Sequence, residues 1–178
     1  MIYEFLTDGF EELEATAPLD ILRRAGVDVR TVGIGGKTVT GSHGIAITCD
    51  ITPEEIDSQA CNGVILPGGP GHTRLAESPA VLELLRVAAG RGALLAAICA
   101  APSILGLNGY LRGRRACCYP GYEDKLLGAQ VSYDPVVTDG SVITSRGAGT
   151  AVLFGLALAE YLVSPEKAAQ IAAQIHAR

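Results

Sequence analysis

Two short stretches constrain this chain most: GVIL at 63–66 and ALLAAI at 93–98. Both are apolar at every position, so neither has the alternation of a strand with one wet face. Each is followed by a turn carrying glycine or proline and is flanked by longer stretches of helical character. Strands of that kind are buried on both faces, and they belong to parallel sheets covered by helices on either side. The chain therefore predicts an α/β fold, a three-layer sandwich with a mostly parallel sheet.

The remaining segments fit that frame. A strand is predicted over 1–7, then a turn at Asp8-Gly9 and a helix over 11–25. In that helix Leu13, Ala17 and Ile21 share one face. Glu11, Glu12 and Glu14 fall in its first turn, where the helix dipole favours negative charge. Pro18 should kink it, and Gly26 should end it. A second strand follows over 27–34, a small β excursion over 37–40 and 45–48, and a helical turn over 53–56. After the strand at 63–66, Ser78-Pro79 opens a helix to about 91. The strand at 93–98 leads into a helix reaching 107. A loop-rich stretch holds a short strand at 115–118 and a helical turn at 122–127. Residues 136–138 and 142–144 read as a hairpin around Asp139-Gly140. A helix then runs to 162, with Thr150 as its cap, and Ser164-Pro165 opens the last. No repeat, low-complexity segment or long linker divides the chain, so 1–178 reads as one domain.

Composition narrows the function. Of 178 residues 48% are hydrophobic and only 19% charged, enough for a sizeable core. A net charge of −5 with no basic run argues against nucleic acid. The longest late apolar stretch, 151–163, is interrupted by Glu160 and is too short for a bilayer. The first ten residues lack a signal-peptide pattern. Five cysteines without zinc-like spacing suggest reduced thiols and a cytoplasmic location. His72 and His176 have no ligand neighbours at metal spacing, so no metal is predicted. LPGGPG lacks the spacing of a nucleotide loop, and no cofactor is predicted.

In open parallel sheets the ligand site lies beyond the carboxyl ends of the strands. Three segments converge there: 9–14, the glycine-rich loop after Leu66, and Cys99. Cys99 sits where a buried strand becomes a helix, and such an elbow presents one side chain at the sheet edge. A helix start there would favour thiolate. The plain alternative is a small core cysteine. Likewise Glu14 reads either as a first-turn glutamate facing water or as a partner of that sulfur. Beside a thiolate it should be protonated, because adjacent anions repel in low dielectric.

Four motifs then occur in order: DGFEELEATAPLD, LPGGPG, AAICAAPSIL and TSRGAGTA. Together they resemble the ThiJ/PfpI superfamily, and most closely its DJ-type branch, which includes a human protein linked to Parkinson disease. The resemblance covers essentially the whole chain. It implies a flavodoxin-like sandwich, a homodimer, and Cys99 as a reactive nucleophile with Glu14 as its carboxyl partner. It also implies an oxyanion pocket made by the backbone N–H groups of Gly69 and Ala100, beside Gly68. The protease activity of one branch goes with a histidine after the cysteine; that position is Ala100, which disfavours a protease. Where human-like members carry a histidine, this chain has Tyr119, a pocket wall or hydrogen-bond donor or else a packing aromatic. Another position, often basic in the family, is His43, which either stays in solvent or reaches the pocket. Arg24 suits the helix dipole and also a dimer contact. Cys117 and Cys118 read as strand residues or as peroxide-sensitive thiols.

The resemblance implies two functions. One is a cofactor-independent, cysteine-dependent glyoxalase or deglycase acting on 2-oxoaldehydes such as methylglyoxal, or on their early protein adducts. The other is an oxidative-stress sensor or chaperone using the same cysteine.

Overall fold

The computed structural model describes residues 1–177. Its central sheet has the order β2-β1-β5-β6-β10-β9. These strands are β1 (Ile2–Thr7), β2 (Val29–Ile34), β5 (Gly63–Leu66), β6 (Leu94–Ile98), β9 (Val136–Asp139) and β10 (Val142–Ser145). All pair in parallel except β9, which closes one edge as the antiparallel arm of a hairpin with β10. Two small ribbons lie outside: β3 (Thr38–Thr40) with β4 (Ala46–Thr48), and β7 (Arg115–Ala116) with β8 (Gln130–Val131).

Every residue of β1, β5 and β6 is buried, as the apolar composition of β5 and β6 requires, and Glu4 and Thr7 of β1 are enclosed with the rest. One face packs Tyr3, Phe5, Val64, Leu66 and Leu95 against α3 (Pro79–Gly90) and α4 (Pro102–Leu107). The opposite face packs Ile2, Ile65, Ala96 and Ile143 against α1 (Glu12–Arg24), α5 (Ala151–Leu162) and α6 (Pro165–Gln174). The sandwich has the three layers that two-sided burial predicts.

Three expectations need correction. The inner face of α1 is not the Leu13–Ala17–Ile21 stripe, since Leu13 is 57% exposed. Glu14, Ala15, Pro18, Ile21 and Leu22 are buried instead. Glu12 is buried too, and two carboxylates on the inner face are what an apolar stripe does not reveal. Pro18 leaves α1 unbroken and packs against Gly155 of α5, where a Cβ would stand 2.9 Å from its Cα. Thr150 does not cap α5 with its side chain; its hydroxyl donates back to the Gly147 carbonyl at 2.8 Å. A short helix, α2 (His72–Glu77), also precedes α3.

Sheet order reverses between β1 and β5, because the chain runs outward to β2 and then returns to the other side of β1. A crevice forms at such a reversal. The loops after β1 and β5 meet there: the Gly71 N–H donates to the Gly9 carbonyl at 2.8 Å, and the Glu11 N–H to the Gly68 carbonyl at 3.2 Å.

Candidate active site

Cys99 follows the last residue of β6 and has φ +65°, a left-handed conformation that a non-glycine residue rarely holds. Two contacts fix it: its N–H donates to Ser145 O at 2.9 Å, and its carbonyl accepts from Tyr119 N–H at 2.8 Å. Strain of this kind persists only where surrounding structure imposes it, and it collects at functional sites. The side chain remains partly accessible.

Glu14 reaches the same point from α1. Its N–H is capped by the Glu11 carboxylate at 2.8 Å, and its own side chain is buried. Oε2 accepts the Gly68 N–H at 2.9 Å, and the carboxyl also hydrogen-bonds with the Cys99 side chain. Burial pushes Glu14 up to about 7, and the charge on Glu11 adds to this; Cys99 and the Gly68 and Ala148 amides oppose it. Cys99 is pushed up to about 12, first by burial and then by the Glu14 charge, while the Ala100 and Gly69 amides lower it. Burial and the Glu14 charge thus oppose the thiolate that a helix start favours. The chain turns for three residues before α4 begins, and burial with a neighbouring carboxylate outweighs the dipole. The thiol and the carboxyl form one coupled acid: a thiolate here requires the proton to sit on Glu14.

The glycines make this convergence possible. A Cβ on Gly68 would lie 2.7 Å from both Cys99 Cβ and Glu14 Oε2. Gly69 has φ +82°, and a side chain there would strike the backbone of residues 9–11. The Gly69 and Ala100 amides converge on the sulfur, as an oxyanion pocket requires.

The other sequence candidates are placed less uniformly. Tyr119 is half exposed, and its ring stands 3.3 Å from the Cβ position of Gly147, which is itself 3.9 Å from Glu14 Oε1. His43 lies in the β3–β4 turn and donates from Nδ1 to Glu12 Oε2 at 2.8 Å, with its ring largely exposed. Its partner is thus Glu12 and not the Glu14–Cys99 pair. Arg24 sits ten residues beyond Glu14 on α1, roughly 15 Å along the axis, where it pairs with Asp20 at 2.6 Å. Within one chain it does not reach the pocket. Cys117 and Cys118 follow β7 and are buried, and burial pushes the Cys118 thiol up to about 12.

Sequence reasoning missed three neighbours. Glu12 is held down to about 2: burial raises it, but the His43 ring and N–H both bond its carboxylate. Glu11, Glu12 and His43 bring one donor atom each within 4.8 Å, a set able to hold a metal, although they already bond one another to close the turn. His72 donates from Nδ1 to the Gly69 carbonyl at 2.9 Å and so steadies the residue whose N–H faces the sulfur. Arg146 lines a groove of about 400 Å³ with Tyr119, Tyr133, Pro135 and Gly147. Of these Glu12 and Arg146 lie in the motifs DGFEELEATAPLD and TSRGAGTA, and His72 lies in none.

Comparison with known proteins agrees with this geometry. A model of the DJ-1/PfpI family matches residues 1–161. The Parkinson disease protein 7 homolog of Danio rerio is 42% identical, covering 96% of this chain and 93% of that protein. A Caenorhabditis elegans protein named glutathione-independent glyoxalase DJR-1.2 is 37% identical over 88% of this chain and 85% of its own. The crystal structure of Drosophila melanogaster DJ-1beta superposes with a TM-score of 0.92 at 36% identity, covering 99% of this chain and 97% of that one.

Proposed function

The chain belongs to the DJ-1/PfpI family, and from that premise we propose that it is a cysteine-dependent enzyme acting on 2-oxoaldehydes such as methylglyoxal or on their early protein adducts. The observation that carries this reading is the coupling of Cys99 to Glu14 under two converging amides. The Cys99 thiolate bonds to the aldehyde carbon, and the carbonyl electron pair moves onto oxygen, facing the N–H groups of Gly69 and Ala100. The Glu14 carboxyl gives its proton to that oxygen, and as a carboxylate then takes the proton from the carbon and returns it to the adjacent one, while the hydroxyl proton passes to the second oxygen and leaves a thioester. Water releases the product as a 2-hydroxy acid and frees the thiol. No dissociable cofactor enters this sequence. A relative named as a glutathione-independent glyoxalase supports the substrate class. The same reading takes the protein as a cytoplasmic homodimer, for which twice the monomer mass by light scattering is the test.

Lactate formation from methylglyoxal by wild type and Cys99→Ser, both checked for folding, tests the activity. The expected result is turnover in the wild type and none above background in the variant. Turnover that survives Cys99→Ser would end this reading. One observation favours a second reading. The family's histidine position holds Tyr119, a phenol that is a poor base at neutral pH. In that case peroxide would oxidise Cys99 to a sulfinic acid, detectable as a gain of two oxygens by mass spectrometry, in a protein without turnover.

A further inference from the structure

The groove beside Tyr119 contains one charged side chain, Arg146, among aromatic, proline and small residues. Arg146 is half-buried and forms no salt bridge to any acid among the described residues. Its side chain makes a 3.3 Å hydrogen bond from Nη1 to the Tyr133 carbonyl and lies over the Tyr133 ring, whose centroid is 5.8 Å from the guanidinium carbon. Asp134, the acid next in sequence to Tyr133, is already engaged by Arg115 at 2.9 Å and by Ser132 at 2.8 Å. Much of the guanidinium fork is therefore free.

Register places the backbone of Arg146 beside that of the nucleophile. Ser145 of β10 is the partner of Ile98 of β6, so Arg146 and Cys99 leave adjacent strands side by side. Adjacent strands lie about 5 Å apart. Gly147, one of the residues lining the groove, also abuts Glu14. A substrate lying in the groove would meet the Glu14–Cys99 pair at one end and Arg146 at the other. Its middle would rest on the two tyrosine rings.

Resting on the catalytic reading above, we propose that this groove selects reactive carbonyl compounds bearing a carboxylate, with Arg146 holding the carboxylate and the carbonyl delivered to Cys99. The single cation matches a monoanion, and the planar guanidinium matches a carboxylate's two oxygens. Tyr119 and Tyr133 favour an aromatic or extended apolar body between the two ends.

A matched pair of substrates tests this: phenylglyoxal and 4-carboxyphenylglyoxal, which differ only in the carboxylate. The expected result is a kcat/KM ratio of about tenfold in favour of the carboxylated compound, the worth of one hydrogen bond to a charged group. Arg146→Met should bring the ratio near one, and Arg146→Lys should retain part of it, because the charge stays while the fork is lost. Using the ratio within each variant cancels any general loss of activity. No preference in the wild type, or a preference that survives Arg146→Met, would overturn the proposal. If neither compound is turned over, the catalytic reading fails, and the groove is decided separately by binding. Calorimetry would then compare 4-carboxybenzyl alcohol with benzyl alcohol in wild type and Arg146→Met. Selective, Arg146-dependent binding of the acid upholds the groove, and equal or absent binding rejects it.

Discussion

Among the described residues, the buried side-chain oxygens left without a hydrogen-bond partner are both on Glu4, in the middle of β1. The side chain is fully enclosed, and burial drives its pKa well above the ordinary carboxyl range. Arg23 pulls it down and Asp50 pushes it up, but those two are paired with each other at 2.7 Å. Glu4 is therefore protonated in the fold and ionised in the unfolded chain above about pH 4.3. Its contribution to stability is present below that pH and is lost as pH rises toward the folded value. Glu4→Met removes this liability. Thermal unfolding should show a Tm gain at pH 8 clearly larger than the gain at pH 4, with about 2–4 °C for each kcal/mol recovered. Equal shifts at both pH values would mean that Glu4 finds a partner in the fold. Glu4 escaped sequence reading because a single acid in an apolar strand has no motif; only its enclosure gives it meaning.

At the scale of elements, legibility followed the strength of local pattern. Gly63–Leu66 was readable to the residue because a strand buried on both faces has no polar position to blur its ends. The six residues of α2 were not, because so short a helix shows less than two turns of periodicity. The rotation of α1 was misread for a physical reason: the helix spends the buried positions Glu12 and Glu14 on hydrogen bonds and leaves Leu13 outside. That assignment is testable. Leu22→Ala should cost about 2–5 kcal/mol in urea unfolding, the usual loss for a buried leucine. Leu13→Ala should stay within about 0.5 kcal/mol, as for an exposed residue. The reverse order would restore the face that spacing alone suggests.

At the scale of the whole molecule, no single element contains the site. Sheet order brings the loop after β1, the loop after β5 and the turn after β6 to one edge, and Gly147 before α5 closes it. Cys99, Glu14 and the glycines were legible because each lies in a motif at a predicted strand end. His72 lies in no motif although its partner Gly69 is only three residues away, and Arg146 lies in a motif whose pattern does not name what its guanidinium would hold. The central claim is that Glu14 and Cys99 act as one proton-sharing pair. The pH profile of kcat/KM for lactate formation from methylglyoxal, wild type against Glu14→Gln, tests it most directly. Glu14 stands at about 7, so the wild-type rate should rise with pH through that value as the pair loses its first proton. Glu14→Gln should lower kcat/KM by about 10²–10⁴-fold and erase that limb. A variant that keeps both the wild-type rate and the wild-type profile would contradict the account.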